Sequence, residues 1–440
     1  MSTSLRRVLL LSYYFPPHGG AGVQRTVKFV KYLPGLGYEP VVVAGPAGTA
    51  PAWAPADPAL GAELPADVQI LRIEEPEPPQ AGRWRSRTRR LLHLRSPFAR
   101  WLEDGLASTG AAVADRVDLI YASMSPWETG DAARALATRV GVPWVADLRD
   151  PWALDEWAVY PTGVHRRLEL ERMRRLLDSA TAIVMNTPGS GEAVRRRWPA
   201  LADRVRVIPN GYDVADFAGP AAQPDPRVFR IVFSGYAHTS YGRSYRRFGA
   251  VRSRLGGAAR GLDPLSRSHV FLLDAVAEVL ARRPDLAEVL EVHLAGVGSD
   301  DHAHELSSVI AHGYVPHTRA VELVRTADLL FLPLHDLASG VLNLTVPAKS
   351  YEYLASGRPI LAAIPAGDTR DLLSSAPSVT CCGPKDVDGI ARSIESAVDA
   401  WRGHGTHDVD RSAFMAPYER RELSRRLAGV FDEVIRGPDR

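Results

Sequence analysis

Three short stretches of this 440-residue chain hold residue types suited to chemistry on an anion or a sugar. In PPHGGAGVQR, Gly19, Gly20 and Gly22 follow an apolar run and precede Val23, Val27, Val30 and Leu33 at helical spacing. A glycine turn opening a helix lets backbone N–H groups approach an anion, and the positive end of the helix dipole adds to the attraction. The sterics of a tight turn would ask for the same glycines. In VLNLTVPAKSYEYLASGRPILA, just after Gly340, Pro347 suits a first helical turn, with Lys349 and Glu352 following it. A lysine there opposes the helix dipole, which an anionic ligand would explain; a plain i,i+3 surface pair with Glu352 is the alternative. In VADLRDPWALDEW, Asp147, Arg149 and Asp150 cluster after an apolar run, with Trp152 and Trp157 close behind. A carboxylate there would orient an acceptor or shield a positive sugar ring, or else the aspartates cap turns. The tryptophans would stack on an acceptor ring or pack the domain interior.

These stretches need a frame, and the rest of the sequence describes one. Short β-branched runs alternate with longer helical patterns, the signature of parallel sheet with crossover helices. RRVLLLSYY, PVVVAG, DLIYAS, PWVADL, AIVMN and RVRVIPNG read as buried strands, with helices near Glu128–Val140, Val164–Asp178 and Gly189–Trp198. A Pro-rich break, FAGPAAQPDPRVF, reads as a linker. The alternation resumes with FRIVFSG, LEVHLAG, ADLLFLPL and RPILAAI. The expected fold is α/β, two Rossmann-like doubly wound domains facing an interdomain cleft. The expected boundaries are 1–215, a linker at 216–225, 226–412, and a C-terminal helix in 413–440 that crosses back to the first domain.

Three segments stand outside the alternation. PAGTAPAWAPADPALGAELPAD reads as an Ala/Pro-rich surface loop, and GRSYRRFGAVRSRLGGAARGLDPLSR as a mobile insertion. Seven arginines lie from Arg83 to Arg100, interleaved with Trp84, Leu91, Leu92 and Leu94. That segment is either a solvated basic helix or a surface for peripheral contact with anionic lipid.

Bulk composition excludes other classes. A net charge of +2 gives no ground for a nucleic-acid partner. Cys381 and Cys382 are neighbours and staple nothing distant, and no metal-cluster spacing occurs. Lysine occurs only at Lys28, Lys31, Lys349 and Lys385 among 53 basic residues. The apolar start is broken by Pro16 and Pro17 and lacks a cleavage site, so a cytoplasmic protein is expected.

Several segments together resemble the retaining glycosyltransferases of the family-four group, with GT-B architecture. They are YYFPPHGGAGVQRTVKFVKYLPGLGYEPVVV, WVADLRDPW, VIPNGYDVADF, AHGYVPHTRAVELVRTADLLFLPL and VPAKSYEYLASGRPILA, in the family's order. The resemblance implies a nucleoside-diphosphate-sugar donor, no separate cofactor, no metal, and retention of anomeric configuration. It implies that Gly19 and Gly20 lie beside the donor diphosphate and the acceptor. Gly313, Tyr314 and Val315 match the loop that meets the nucleobase, and Glu352 the glutamate on the donor ribose. Lys349 and the backbone around Val341 to Leu344 match the phosphate-contacting stretch, which puts Gly340, Asn343, Leu344 and Thr345 among the donor-binding residues, and Arg243 matches the basic residue after the first strand of the second domain. His18, Arg149, Asp150 and Trp152 fall where an acceptor is held, and Asp150, Lys349 and Glu352 are the expected catalytic groups.

Two positions depart from the family. Leu344 stands where the first of two paired glutamates is usual, and Arg149 where many relatives carry a histidine. An inactive nucleotide-sugar-binding subunit, or a nucleotide-sugar epimerase of the same architecture, is therefore the rival reading. The acceptor is a small molecule or a lipid-linked or cell-surface glycan; the sequence does not choose among them.

Overall fold

In the computed structural model the chain forms two separate parallel sheets, each flanked by helices. The structure describes residues 5–48, 55–79, 82, 88–89, 91–219, 225–247, 249–296, 298, 307–405 and 408–437. Two compact units result: Met1–Asn210 with Leu255–Gly257 and Arg420–Arg440, and Gly211–Arg254 with Ala258–Glu419.

The first sheet contains β1 (Arg6–Ser12), β2 (Tyr38–Ala44), β3 (Gln69–Arg72), β4 (Leu119–Ser123), β5 (Trp144–Leu148), β6 (Ala182–Met185) and β7 (Val205–Val207). Its order is β3-β2-β1-β4-β5-β6-β7, so the winding reverses between β1 and β4. Its helices are α1 (Ala21–Tyr32), α2 (Pro58–Ala62), α3 (Pro97–Ala114), α4 (Glu128–Val140), α5 (Gly163–Asp178) and α6 (Pro188–Arg197). Helices on both faces explain why β1 is apolar without alternation: Leu9 and Leu11 enter one core and Val8 and Leu10 the other. Helix α4 stops where Gly141 turns left-handed at φ 74°. Helix α6 starts on a capping box between Thr187 and Ser190.

The second sheet contains β8 (Phe229–Ser234), β9 (Leu290–Ala295), β10 (Val309–Gly313), β11 (Leu329–Pro333), β12 (Ile360–Ala363) and β13 (Val379–Cys382), ordered β10-β9-β8-β11-β12-β13. Its reversal lies between β8 and β11. Its helices are α7 (Thr239–Arg246), α8 (Gly249–Arg254), α9 (Val270–Arg282), α10 (His317–Arg325), α11 (Ala348–Ala355), α12 (Asp368–Ser374), α13 (Val387–His404) and α14 (Ser412–Met415). The last helix, α15 (Arg420–Arg436), belongs with the first unit, where Leu423, Leu427 and Phe431 pack into the core that holds Val23 and Val27 of α1.

Two readings of the irregular segments need correction. The expected mobile insertion contains α7 and α8 and a further turn whose Asp263 backbone bridges to Asp336. Salt bridges to Asp263 from Arg246 at 2.8 Å and from Lys385 at 3.9 Å tie it down. The Ala/Pro-rich loop contains α2, with Leu60 buried in the first domain. Of the Arg83–Arg100 segment, residues 83–87 and 90 lie outside the described residues, and α3 covers its end from Pro97.

Candidate functional site

In doubly wound sheets ligands gather beyond the carboxyl ends of the strands, at the point where the winding reverses. Each domain of this chain has one such edge. Each holds a different chemistry.

In the C-terminal domain the edge is formed by the ends of β8 and β11. Lys349, on the first turn of α11, donates its Nζ to the Ser234 carbonyl at 3.0 Å and lies 4.2 Å from the centre of the Phe233 ring. One turn on, the Tyr353 hydroxyl accepts the Ser234 N–H at 2.8 Å. Helix α11 thus grips both peptide groups of the residue that ends β8. Gly235, at φ 122°, keeps the way to the ammonium open, since a Cβ there would stand 3.3 Å from Nζ.

Among the described residues no carboxylate comes within ion-pair distance of Lys349, so the alternative, a surface pair with Glu352, does not form. Burial, and then the nearby Arg267, push the Lys349 ammonium down to about 7, with Glu352 opposing weakly. The His238 imidazole is also held well below its usual range, by burial and by the charges of Arg267, Lys349 and His335. The end of β8 therefore concentrates positive and imidazole groups.

Glu352 faces a different partner. Its carboxylate lies 3.9 Å from His317 Nδ1, and His317 Nε2 lies 3.3 Å from the Asp216 carboxylate. Gly313 ends β10 at φ 62°, with Tyr314 exposed and Val315 half-buried after it. Gly340 is left-handed at φ 81° in the loop after β11, followed by the exposed Leu342.

The side chains of Asn343 and Thr345 are taken up within the fold, so a phosphate contact from this stretch falls to its backbone. Asn343 Nδ2 donates to Thr345 Oγ1 at 3.0 Å, and Asn343 Oδ1 accepts the Thr369 hydroxyl at 3.0 Å. Both residues are buried and pin the loop to α12. The half-buried Leu344 sits between them. Arg243 is exposed on α7; the guanidinium whose charge reaches Lys349 and His238 is Arg267.

In the N-terminal domain the edge follows β1, β4, β5 and β6. The turn after β1 is laced to the Ala/Pro-rich segment: His18 Nδ1 lies 3.0 Å from the Phe15 carbonyl, and Gly19 N–H donates to Pro55 at 3.0 Å. His18 is buried and holds the turn, which leaves the acceptor role expected of it without an exposed ring. Gly20, at φ 94°, opens α1, which has no side-chain cap and no acidic residue in its first turn.

Asp147 is neither a turn cap nor a ligand group. It is fully buried, with Arg25 Nε and Nη2 on its two oxygens at 2.8 and 3.0 Å and the Tyr121 hydroxyl also bound. Arg149 begins the next loop, partly buried, and Asp150 is exposed beside it. Trp152 is 2% exposed, stacked at 4.9 Å and 7° on Trp127, with Arg172 over its ring and Nε1 donating to Glu169. At φ 50° it has an unusual backbone for a bulky residue, held by that packing. The packing alternative holds for Trp152, whereas Trp127 and Trp157 are each half-buried.

Comparison with known proteins bears on both edges. Residues 19–211, which span the glycine turn and Arg149, match the model of the Glycosyl transferase 4-like domain. The chain is 26% identical over 313 residues to D-inositol 3-phosphate glycosyltransferase of Arthrobacter sp. (strain FB24), covering 68% of this chain and 66% of that protein. Among solved structures, Anabaena HepE in complex with UDP-glucose is similar with a TM-score of 0.60 at 15% identity, covering 97% of this chain and 99% of HepE. Sucrose-phosphate synthase from Thermosynechococcus elongatus is similar with a TM-score of 0.62 at 13% identity, covering 97% and 98%. Residues 19–211 are thus similar to a glycosyl transferase 4-like domain, and the chain has the fold of the GT-B glycosyltransferases, with two Rossmann-like domains.

Proposed function

We propose that the chain transfers a sugar from a nucleoside-diphosphate sugar to an acceptor, with retention at the anomeric carbon. The observation that carries this is Lys349: a half-buried ammonium at the reversal of the second sheet, beside Arg267 and without a carboxylate in contact. A diphosphate supplies the missing negative charge.

In the reaction the bond from the anomeric carbon to the diphosphate oxygen breaks, and its electron pair leaves with the diphosphate. The acceptor oxygen bonds to the same carbon on the same face, and its proton passes to the departing phosphate oxygen. Negative charge grows on the phosphate along this path, so fixed cations stabilise the transition state more than the bound donor. Lys349 and Arg267 fill that role and take the part a divalent ion plays elsewhere, which makes the reaction insensitive to chelators. Glu352, steadied by His317, binds the donor ribose, and the backbone of Gly313–Val315 meets the base.

Asp150 and Trp127 are the groups offered to the acceptor by the N-terminal domain. The exposed Leu91, Leu92 and Leu94 in the arginine-rich segment support peripheral contact with an anionic membrane. Among the described residues no helix is long and apolar enough to cross one.

A thermal-shift panel of UDP-, GDP- and dTDP-sugars tests the donor, since a ligand bound only by the native state raises the melting temperature. The UDP-glucose complex of HepE makes UDP-sugars the first choice. A donor that protects wild type but not Lys349→Ala supports the reading. A panel in which no nucleotide sugar protects the wild type refutes it.

A further inference from the structure

Arg149 is a second cation without an ion pair among the described residues, with Asp150 and Asp147 acting on it only through space, and it lies in the other domain. It is the first residue after β5, and its guanidinium lies against the opening turn of α1: Nη1 stands 1.2 Å from where a Cβ on Gly22 would be. Gly22 is therefore glycine because the arginine fills the space a side chain would take. Asp147, the carboxylate two residues back, is already bound through both oxygens by Arg25. Asp150 points outward as an exposed residue. Among the described residues Arg149 forms no ion pair, and its Nε is buried with no hydrogen-bond partner.

The neighbouring strand adds an independent sign of something missing. Asn186, at the end of β6, is 2% exposed, donates Nδ2 to the Arg149 carbonyl, and leaves its buried Oδ1 without a partner. Buried polar groups in folded proteins are nearly always paired, and an orphan costs about 1–3 kcal/mol. A cation against the positive end of a helix adds a further penalty. An oxyanion that lies against Arg149 removes both. A hydroxyl on the same molecule satisfies Asn186.

We propose that Arg149, seated on Gly22, binds an anionic group of the acceptor, a phosphate or a carboxylate, with Asn186 receiving a neighbouring hydroxyl. Assigning the anion to the acceptor rests on the reading of Lys349 and Arg267 as the donor diphosphate site. Those two cations answer the donor's charge and leave Arg149 for a second anion. The same oxyanion chemistry would arise from the donor diphosphate, so the test separates the two sources.

Calorimetric titration with inorganic phosphate, and separately with UDP, is carried out on wild type, Arg149→Gln, Arg149→Lys, Gly22→Ala and the Lys349→Ala/Arg267→Ala double variant. Gly22→Ala keeps every charge and favours the helix, yet its methyl displaces the guanidinium. Arg149→Gln and Gly22→Ala should each weaken phosphate about tenfold or more, the scale of one charged hydrogen bond. Arg149→Lys should lose less, and the double variant should keep this phosphate site while losing UDP. Phosphate binding unchanged in both Arg149→Gln and Gly22→Ala overturns the proposal. Equal weakening of UDP and phosphate in those variants gives the anion to the donor and overturns its assignment to the acceptor. UDP binding retained by the double variant sinks the donor reading and leaves the Arg149 result standing. Should Arg149→Gln fail to fold, Gly22→Ala and Arg149→Lys decide the matter.

Discussion

Arg25 and Lys349 are both basic side chains at the carboxyl edge of a parallel sheet, one in each domain, and they have opposite surroundings. Arg25 is fully buried and saturated: both oxygens of Asp147, the carbonyls of Ile208 and Pro209, and the face of Phe29 surround its guanidinium. Lys349 has one carbonyl and one aromatic ring. A buried charge that finds all its partners within the chain serves the fold. One that lacks a counter-charge costs stability, and that cost is tolerated where a ligand completes it.

The largest effect expected from this contrast is on stability. Arg25→Met leaves Asp147 buried and unpaired, and should cost about 3–5 kcal/mol in urea denaturation. Arg25→Met together with Asp147→Leu should recover much of that loss, because no lone charge remains. If the single variant is as stable as wild type, the pair is not a structural one and the contrast with Lys349 loses half its basis.

Lys349→Ala should act the other way. Removing a buried cation without a counter-charge leaves the melting temperature unchanged or raised, while transfer falls by about 10²–10³, the usual scale for one group facing a developing oxyanion. Steady-state kinetics beside a thermal melt reads both. A variant that unfolds early and binds donor normally would show that the Ser234 contact is what the lysine is for.

The pH dependence sharpens the same point. The folded-state ammonium is pushed down to about 7 from its ordinary 10.5. Between those values the unfolded chain holds a proton that the folded chain has released, so this group's contribution to stability rises with pH through the window and is lost as pH falls back toward 7. Lys349→Ala should flatten that rise. A bound diphosphate favours the charged form, so donor binding above pH 7 should take up a proton, and affinity should fall by up to about tenfold per unit. Calorimetry in buffers of different ionisation enthalpy measures the proton directly.

The two domains also differ from their edges inward in how plainly the sequence announced them. The central strands of both sheets were legible because burial on both faces forces unbroken apolar runs, as in VLLLS of β1 and LLFLP of β11. The strands that the alternation does not reveal are β3, β10 and β13, all at sheet edges and none fully buried. An edge strand meets solvent along one side, and its sequence carries a weaker mark of its conformation.

The site divides in the same way. Lys349 and the glycine turn could be picked out as candidates because a lysine in a first helical turn and three glycines after a strand each break a local rule. Arg267 and His317 break none; they look like any surface arginine or loop histidine until the fold brings them to Lys349 and Glu352. Arg149 was visible as a departure from the family. Its seat on Gly22 was not, because 126 intervening residues hide the contact.

The smallest effect concerns Arg243, where sequence position and structure disagree. It follows the first strand of the C-terminal domain as the family pattern asks, yet it is exposed on α7, among the helices of an insertion that shifts the spacing. Arg267, 24 residues later, supplies the charge felt by Lys349. Arg267→Ala should therefore weaken donor binding about tenfold or more and let the Lys349 ammonium titrate higher, since a neighbouring positive charge is gone. Arg243→Ala, on a solvated helix face, should change donor affinity less than about twofold. The proton-uptake measurement distinguishes a direct role from a loss of fold, because only Arg267→Ala moves the pH at which uptake begins. If Arg243→Ala is the more damaging of the two, the insertion reorganises around the donor and the guanidinium beside Lys349 is a bystander.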